Sequence, residues 1–373
     1  MFRDLAKMLS GAGPVNWDIA RQVSVYIATD GQAEANVDPL ERMRVEELAR
    51  VAVLHIANVT GLETSATGGI VTLRPVARAE WANRTLDAYR RLLELLATTL
   101  SAGMPEGEGP DPGTDLLGSL TRVMSPVLLG MQSGFMVGHL SQRSMGQYDL
   151  PIPRPPSDEL LVLPATINAF AADWSLPADD VLLCVSLNEV AHHAVLSQPH
   201  VRQRLDQLLS EYVGGFQPEP GVIDQRLEGL DPSDPASLQA VLGDPETLLG
   251  ALQTPAQRQT RAQLDALVAA IEGYVDHAVD AVGGRLIGSY PSLTEALRRR
   301  RVERGDGDKF VERLFGLELG QAQYDRGGAF VDGVVERAGE PGLARLWTSA
   351  RELPTPAEID APGLWLERIS IPD

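Results

Sequence analysis

The 373-residue sequence is poor in cysteine, in basic residues and in long apolar runs. Its single cysteine, Cys184, can neither close an internal disulfide nor build a thiolate zinc site, so nothing in the chain calls for an oxidising compartment. Lys and Arg number 32 against 51 Asp and Glu, a formal net charge of −19. So acidic a surface repels phosphate backbones and anionic headgroups, which argues against nucleic acid and the membrane surface as partners. The longest uncharged stretches, such as VMSPVLLGMQSGFMVG from Val123, carry Pro, Gln and Ser. They fall short of the ~20 apolar residues of a membrane span. The opening MFRDLAKMLSGAG meets charged residues before any apolar run long enough for a signal peptide, and a soluble cytoplasmic protein is the expectation. Also missing are a Gly-x-Ser-x-Gly elbow, a phosphate-cradling Gly-x-x-x-x-Gly-Lys and a strand-turn-helix dinucleotide fingerprint, so serine-hydrolase, ATP and NAD chemistry have little support.

What is present is a globular core, with 44% hydrophobic and 22% charged residues. Helical periodicity dominates. Residues 39–59 and 81–100 read as amphipathic helices, and 116–142 as a longer apolar one with Pro126 inside. The segments 103–115 and 214–248, rich in Gly, Pro and Asp, read as loops. PIPRPP at 151–156 is a stiff connector, the expected boundary between an N-terminal helical region (1–150) packed on the core and a second region (151–373). Leu160 to Phe170 is the strongest strand-like run. Further helices are expected at 177–200, 255–282, 291–302, 308–325, 328–338, 340–349 and 356–369. The fold class is mainly α with a small β component.

Two of these helices hold candidate chemistry. In the first, Asn188 and His192 lie one turn apart with Glu189 beside them, in the sequence Asn-Glu-Val-Ala-His-His. That is the spacing of His-Glu-x-x-His, in which two imidazoles on one helical face hold zinc and the glutamate activates water. The competing reading makes His192 and His193 core-edge histidines satisfied by hydrogen bonds. In the second, Glu272, Asp276 and Asp280 form a row at intervals of four beside an apolar stripe. Like charges at that spacing repel, so a cation nearby would offset them: a metal, an arginine, or a histidine such as His192 or His277. A solvated acidic face is the alternative. Gly273 removes a side chain where another backbone can approach.

Together the two segments, 188–193 and Glu-Gly-Tyr-Val-Asp-His-Ala-Val-Asp-Ala-Val-Gly at 272–283, resemble the zincin-like metallopeptidase family of uncharacterised hydrolases. Some members of that family are linked to biosynthesis of a deazaflavin coenzyme. The similarity extends to Gly13–Trp17, Gly146–Asp149, Leu314–Leu317, Gln323-Tyr324, Ala329–Val331, Leu343–Trp347 and Leu353–Thr355. The resemblance implies a zincin-like helical core carrying a degenerate His-Glu-x-x-His helix and a downstream Glu helix. It implies His192 and Glu272 as metal ligands, Glu189 as general base, and Asp276 as the residue that orients a ligand, with His193 and His277 alongside. Asn188 stands where the first histidine should be, and a neutral carboxamide is a poor zinc donor. The expectation is therefore a peptidase-like hydrolase relative with zinc weak or absent and activity weak or lost, taking a peptide or small-molecule ligand. Two alternatives stay open. One is an active metallohydrolase that completes its coordination with His277, Asp276 or an Asn188-bound water, and the other is a non-catalytic binding or scaffold protein.

The one basic cluster, Leu297 to Arg301 with Arg304, reads as a solvated helix face balancing nearby acids, with anion binding as the alternative. His55 and His139 read as structural.

Overall fold

The computed structural model describes residues 13–102, 112–216, 254–303, 305–318 and 320–371, with the backbone alone for 112–124, 306, 307 and 310. The N-terminal stretch 1–12, the segments 103–111 and 217–248 expected as loops, and Arg304 lie outside the described residues.

The chain runs α1 (Trp17–Ala28), α2 (Pro39–Thr60), β1 (Thr72–Pro75), α3 (Arg78–Ala102), α4 (Pro112–Arg143), β2 (Glu159–Val162), α5 (Pro164–Asp173), α6 (Ala178–Leu196) and α7 (Pro199–Gly214). It continues with α8 (Pro255–Leu286), α9 (Tyr290–Val302), α10 (Asp306–Phe315), α11 (Gln321–Leu343), α12 (Pro356–Ile359) and α13 (Pro362–Ser370). The class is mainly α, as expected, with one two-stranded parallel sheet in which Leu73 pairs with Leu160 and Arg74 with Leu161. No helix among the described residues is long and apolar enough to cross a membrane.

Helix starts follow local chemistry. Asn16 caps α1 by accepting from the Ile19 amide at 3.1 Å. Thr254 and Gln257 close a reciprocal capping box at the start of α8, where Pro255 needs no hydrogen-bond partner for its nitrogen. The strand-like run Leu160 to Phe170 is strand only as far as Val162. Pro164 has no N–H to give a ladder and its fixed φ suits a first helical turn, so α5 begins there. Pro199 likewise opens α7 as a separate helix within the span expected to reach His200. Gly316, at φ +71°, ends α10 inside the expected 308–325 helix. Helix α1 and strand β1 had no counterpart in the sequence reading.

The core sits around α6 and α8. From Val181 onward α6 is buried apart from Asn188, packed between α2, α5 and α8, and α8 lies in turn against α11. Polar side chains buried along such a helix look for partners inside the protein. On α6 those fully buried are Ser186, Glu189, His192 and His193.

Candidate functional site

Where α6 and α8 face each other, His192 and Glu272 meet. His192 Nε2 lies 3.3 Å from Glu272 Oε1, and both side chains are buried. His192 Nδ1 lies 3.0 Å from the carbonyl oxygen of Asn188, one turn back on α6. A carbonyl can only accept, so Nδ1 carries a proton and Nε2 is the atom turned on the carboxylate. Burial works against charge on this ring, but the Glu272 carboxylate outweighs it and His192 is held above its ordinary pKa. The 3.3 Å separation exceeds the ~2.7–2.9 Å of a tight charge-assisted bond. It is close to the edge of a tetrahedron, about 3.3–3.4 Å, whose centre is ~2.0–2.1 Å from each donor.

These groups line a cavity of about 690 Å³. Asn188 faces it from α6, and Asp276 and Asp280 from α8. Among the described residues no three His, Cys, Asp or Glu side chains are grouped as around one metal ion. Cys184 also reaches the wall, but burial, with Asp276 nearby, pushes its thiol up to about 12, so it is no thiolate nucleophile.

Glu189 does not line the cavity. Both of its oxygens are taken by backbone amides, that of Gln147 at 2.9 Å and that of Tyr148 at 3.1 and 3.2 Å. The loop comes this close because residue 146 is glycine: a Cβ there would sit 2.2 Å from Glu189 Oε1. Burial first, and then the Asp149 charge, push the Glu189 carboxyl up to about 8 against the pull of His192 and the two amides.

His193 is turned to a different neighbourhood from His192. Its Nδ1 is 3.0 Å from the Tyr148 hydroxyl, and its Nε2 is 3.8 Å from Asp158, too far for a hydrogen bond. Burial lowers it to about 4, so the ring is neutral. The Tyr148 ring is stacked against His192 and tilted against His193, with its centre 6.0 Å from each. His277 pairs with Glu340 at 3.0 Å on the cavity rim.

The acidic row on α8 meets a different partner at each level. Glu272 has His192, Asp276 is forked by Arg301, and Asp280 accepts from the Tyr290 hydroxyl. The row therefore lines the cavity and grades from buried Glu272 through half-buried Asp276 to exposed Asp280, so the solvated face describes only its outer end. Arg301 comes from the basic cluster, which is split between water and interior. The side chains of Arg298 and Arg299 are 63% and 60% exposed and those of Arg300 and Arg301 26% and 25%; all but Arg299 line the cavity, Arg298 at its exposed side. Arg300 holds Asp149 at 2.8 Å. Sequence reasoning missed the roles of Tyr148, Asp149, Arg300, Arg301 and Tyr324. The signal was available: a row of carboxylates needs cations, and the chain has one basic cluster.

Gly273 lets α11 approach α8 directly. A Cβ at Gly273 would lie 2.3 Å from the carbonyl carbon and oxygen of Gly327, and one at Gly327 would lie 2.1 Å from the Ala269 oxygen. The backbone approach expected at Gly273 is thus made by another glycine. It brings Tyr324, one turn earlier on α11, to the cavity wall.

No curated protein matches the chain. A crystal structure from Chloroflexus aurantiacus, described as a "putative hydrolase with a novel fold", aligns with TM-score 0.65 and 24% identity, covering 96% of this chain and 100% of that one. That likeness shows a shared fold. A family model described as zincin-like metallopeptidase matches residues 15–366 and so takes in both helices of the cavity. The chain belongs to the zincin-like metallopeptidase family.

Proposed function

We propose that this protein keeps the cavity of a zincin-like hydrolase but has lost the catalytic zinc site, and that it binds a peptide or small-molecule ligand there with hydrolysis weak or absent. The observation that carries this reading is the donor set. His192 and Glu272 converge at 3.3 Å, and Asn188, one turn before His192 where the motif spacing puts a histidine, faces the same cavity with a carboxamide. Catalytic zinc uses three good protein ligands plus water, so these residues fit half of such a site and not the whole. Glu189 supports the same reading. A general base must come within about 2.6–3.2 Å of the water it deprotonates, and Glu189 is not on the cavity wall and has both oxygens engaged by loop amides. Here Glu189 serves to pin Gln147 and Tyr148, and through Tyr148 the ring beside His192.

Without a metal, His192 and Glu272 form an imidazole–carboxylate pair in the cavity wall, with Asp149–Arg300 and Asp276–Arg301 beside it. Such a wall offers donors and acceptors for the polar backbone of a peptide or another amide. The alternative, hydrolysis with an unusual coordination, draws on the one metal-like feature, the tetrahedral-edge spacing of the two donors.

Metal analysis separates the two. Protein purified with zinc present and then dialysed should hold far less than one zinc per chain. One tightly held zinc per chain would overturn the proposal. Asn188→His should raise zinc affinity about a hundredfold by restoring an imidazole donor. No gain would mean that position 188 does not face the donor pair.

A further inference from the structure

Glu272, Asp276 and Asp280 climb one face of α8 at intervals of four, an arrangement that positive charge close by stabilises. In a zinc enzyme of this family the metal would be the largest positive charge in the site. Here a side chain brings a charge to the same wall. Arg301 reaches in from α9, and its two terminal nitrogens fork the Asp276 carboxylate at 2.8 and 2.7 Å. Its guanidinium carbon lies 3.7 Å from the centre of the Tyr324 ring, which α11 supplies. A planar cation held in a fork on one side and on an aromatic face on the other has a fixed position. Two successive helices, α8 and α9, and the more distant α11 build that nest.

We infer that Arg301 is the resident counter-cation of this cavity: it supplies the positive charge the acidic row needs and keeps Asp276 from joining His192 and Glu272 as a third metal donor. The inference rests on the reading of a lost zinc site and adds a residue to it, since Asn188 removes a donor while Arg301 occupies the next one. Glu272 and Asp276 are one helical turn apart, the spacing at which two side chains of one helix hold a single ion. A carboxylate oxygen is an accepted zinc ligand. What withholds Asp276 is its bidentate partner: the fork fixes the direction of the carboxylate, and the guanidinium charge it holds there repels a second cation.

The test is calorimetric titration of zinc chloride into chelator-treated protein. Arg301→Gln keeps a planar amide but no charge, and should bind zinc roughly tenfold to hundredfold more tightly than the unaltered chain, the range for changes just outside a ligand set. Arg301→Lys keeps the charge and should gain less than about threefold, since the repulsion remains. Adding Asp276→Asn to Arg301→Gln should abolish the gain. A folded Arg301→Gln protein with unaltered affinity would overturn the inference. If that variant does not fold, the zinc complex of Asn188→His decides in its place. Its crystal structure should show Asp276 still forked by Arg301, and an Asp276 drawn onto the zinc would overturn the inference. Stoichiometric tight zinc on the unaltered protein would instead sink the proposed function, a different result from a flat Arg301→Gln response.

Discussion

Gly273→Ala should push α8 and α11 apart and destabilise the protein, although alanine is the better helix former. The added methyl would stand 2.3 Å from the carbonyl carbon and oxygen of Gly327 and 2.8 Å from its Cα. Those atoms are backbone, so no rotamer change relieves the contact. Ordinary van der Waals separation begins near 3.4 Å, and the helices must part by about 1 Å. Overpacking of this kind costs about 1–3 kcal/mol, and a backbone-to-backbone clash belongs at the upper end. Removing a helical glycine returns about 1 kcal/mol, which leaves a net loss of about 2 kcal/mol. Calorimetric unfolding should show a lower Tm, and urea unfolding a lower midpoint. Gly327→Ala, whose methyl would meet the Ala269 oxygen at 2.1 Å, should cost a similar amount. The double variant should cost less than the sum by about 1 kcal/mol, because helices already parted accept the second methyl. A Gly273→Ala protein as stable as the parent would refute the reasoning, since that is how a solvent-facing glycine behaves.

Asp265 provides a pH signature. Burial raises its carboxyl from 3.8 to about 6, with Oδ1 lacking a hydrogen-bond partner and Arg261 only 3.7 Å away in opposition. The folded chain then holds a proton that the unfolded chain has released, so stability falls as pH rises from about 4 to about 6 and levels off above. The full rise corresponds to roughly 3 kcal/mol, reduced to about 2 by partial exposure. Asp265→Asn should flatten that slope in denaturation curves across this range, and an unchanged slope would assign it elsewhere. Glu189→Ala should cost about 2–4 kcal/mol, because it strands the amides of Gln147 and Tyr148 and empties a buried site. Hydrogen exchange at those two amides should speed up, while a variant with unaltered exchange and Tm would show that the carboxylate does not hold the loop.

The helical class, the bounds of several helices and the two segments that meet in the cavity were legible in the sequence, because each rests on local signals. Apolar spacing marked α2, α3 and α8, and Gly273 announced a close backbone approach without saying whose. Short-range signals failed where pairing is distant. Strand β1 is four residues long and exists only because β2, more than eighty positions later, lies beside it. Pro164 was in plain view, yet the apolar run around it hid the change from strand to helix.

The sequence by itself determined the spacing of the candidate groups: Asn188, Glu189 and His192 along one helix, and Glu272, Asp276 and Asp280 along another, since 3.6 residues per turn leaves no other order. It could not say which cation answers which acid. Only the tertiary structure decided that His192 meets Glu272, that Arg301 takes Asp276, and that Glu189 turns to the Gly146–Tyr148 loop. Charge balance is a property of side chains brought together from separate helices, and a helix fixes only the neighbours within its own turns.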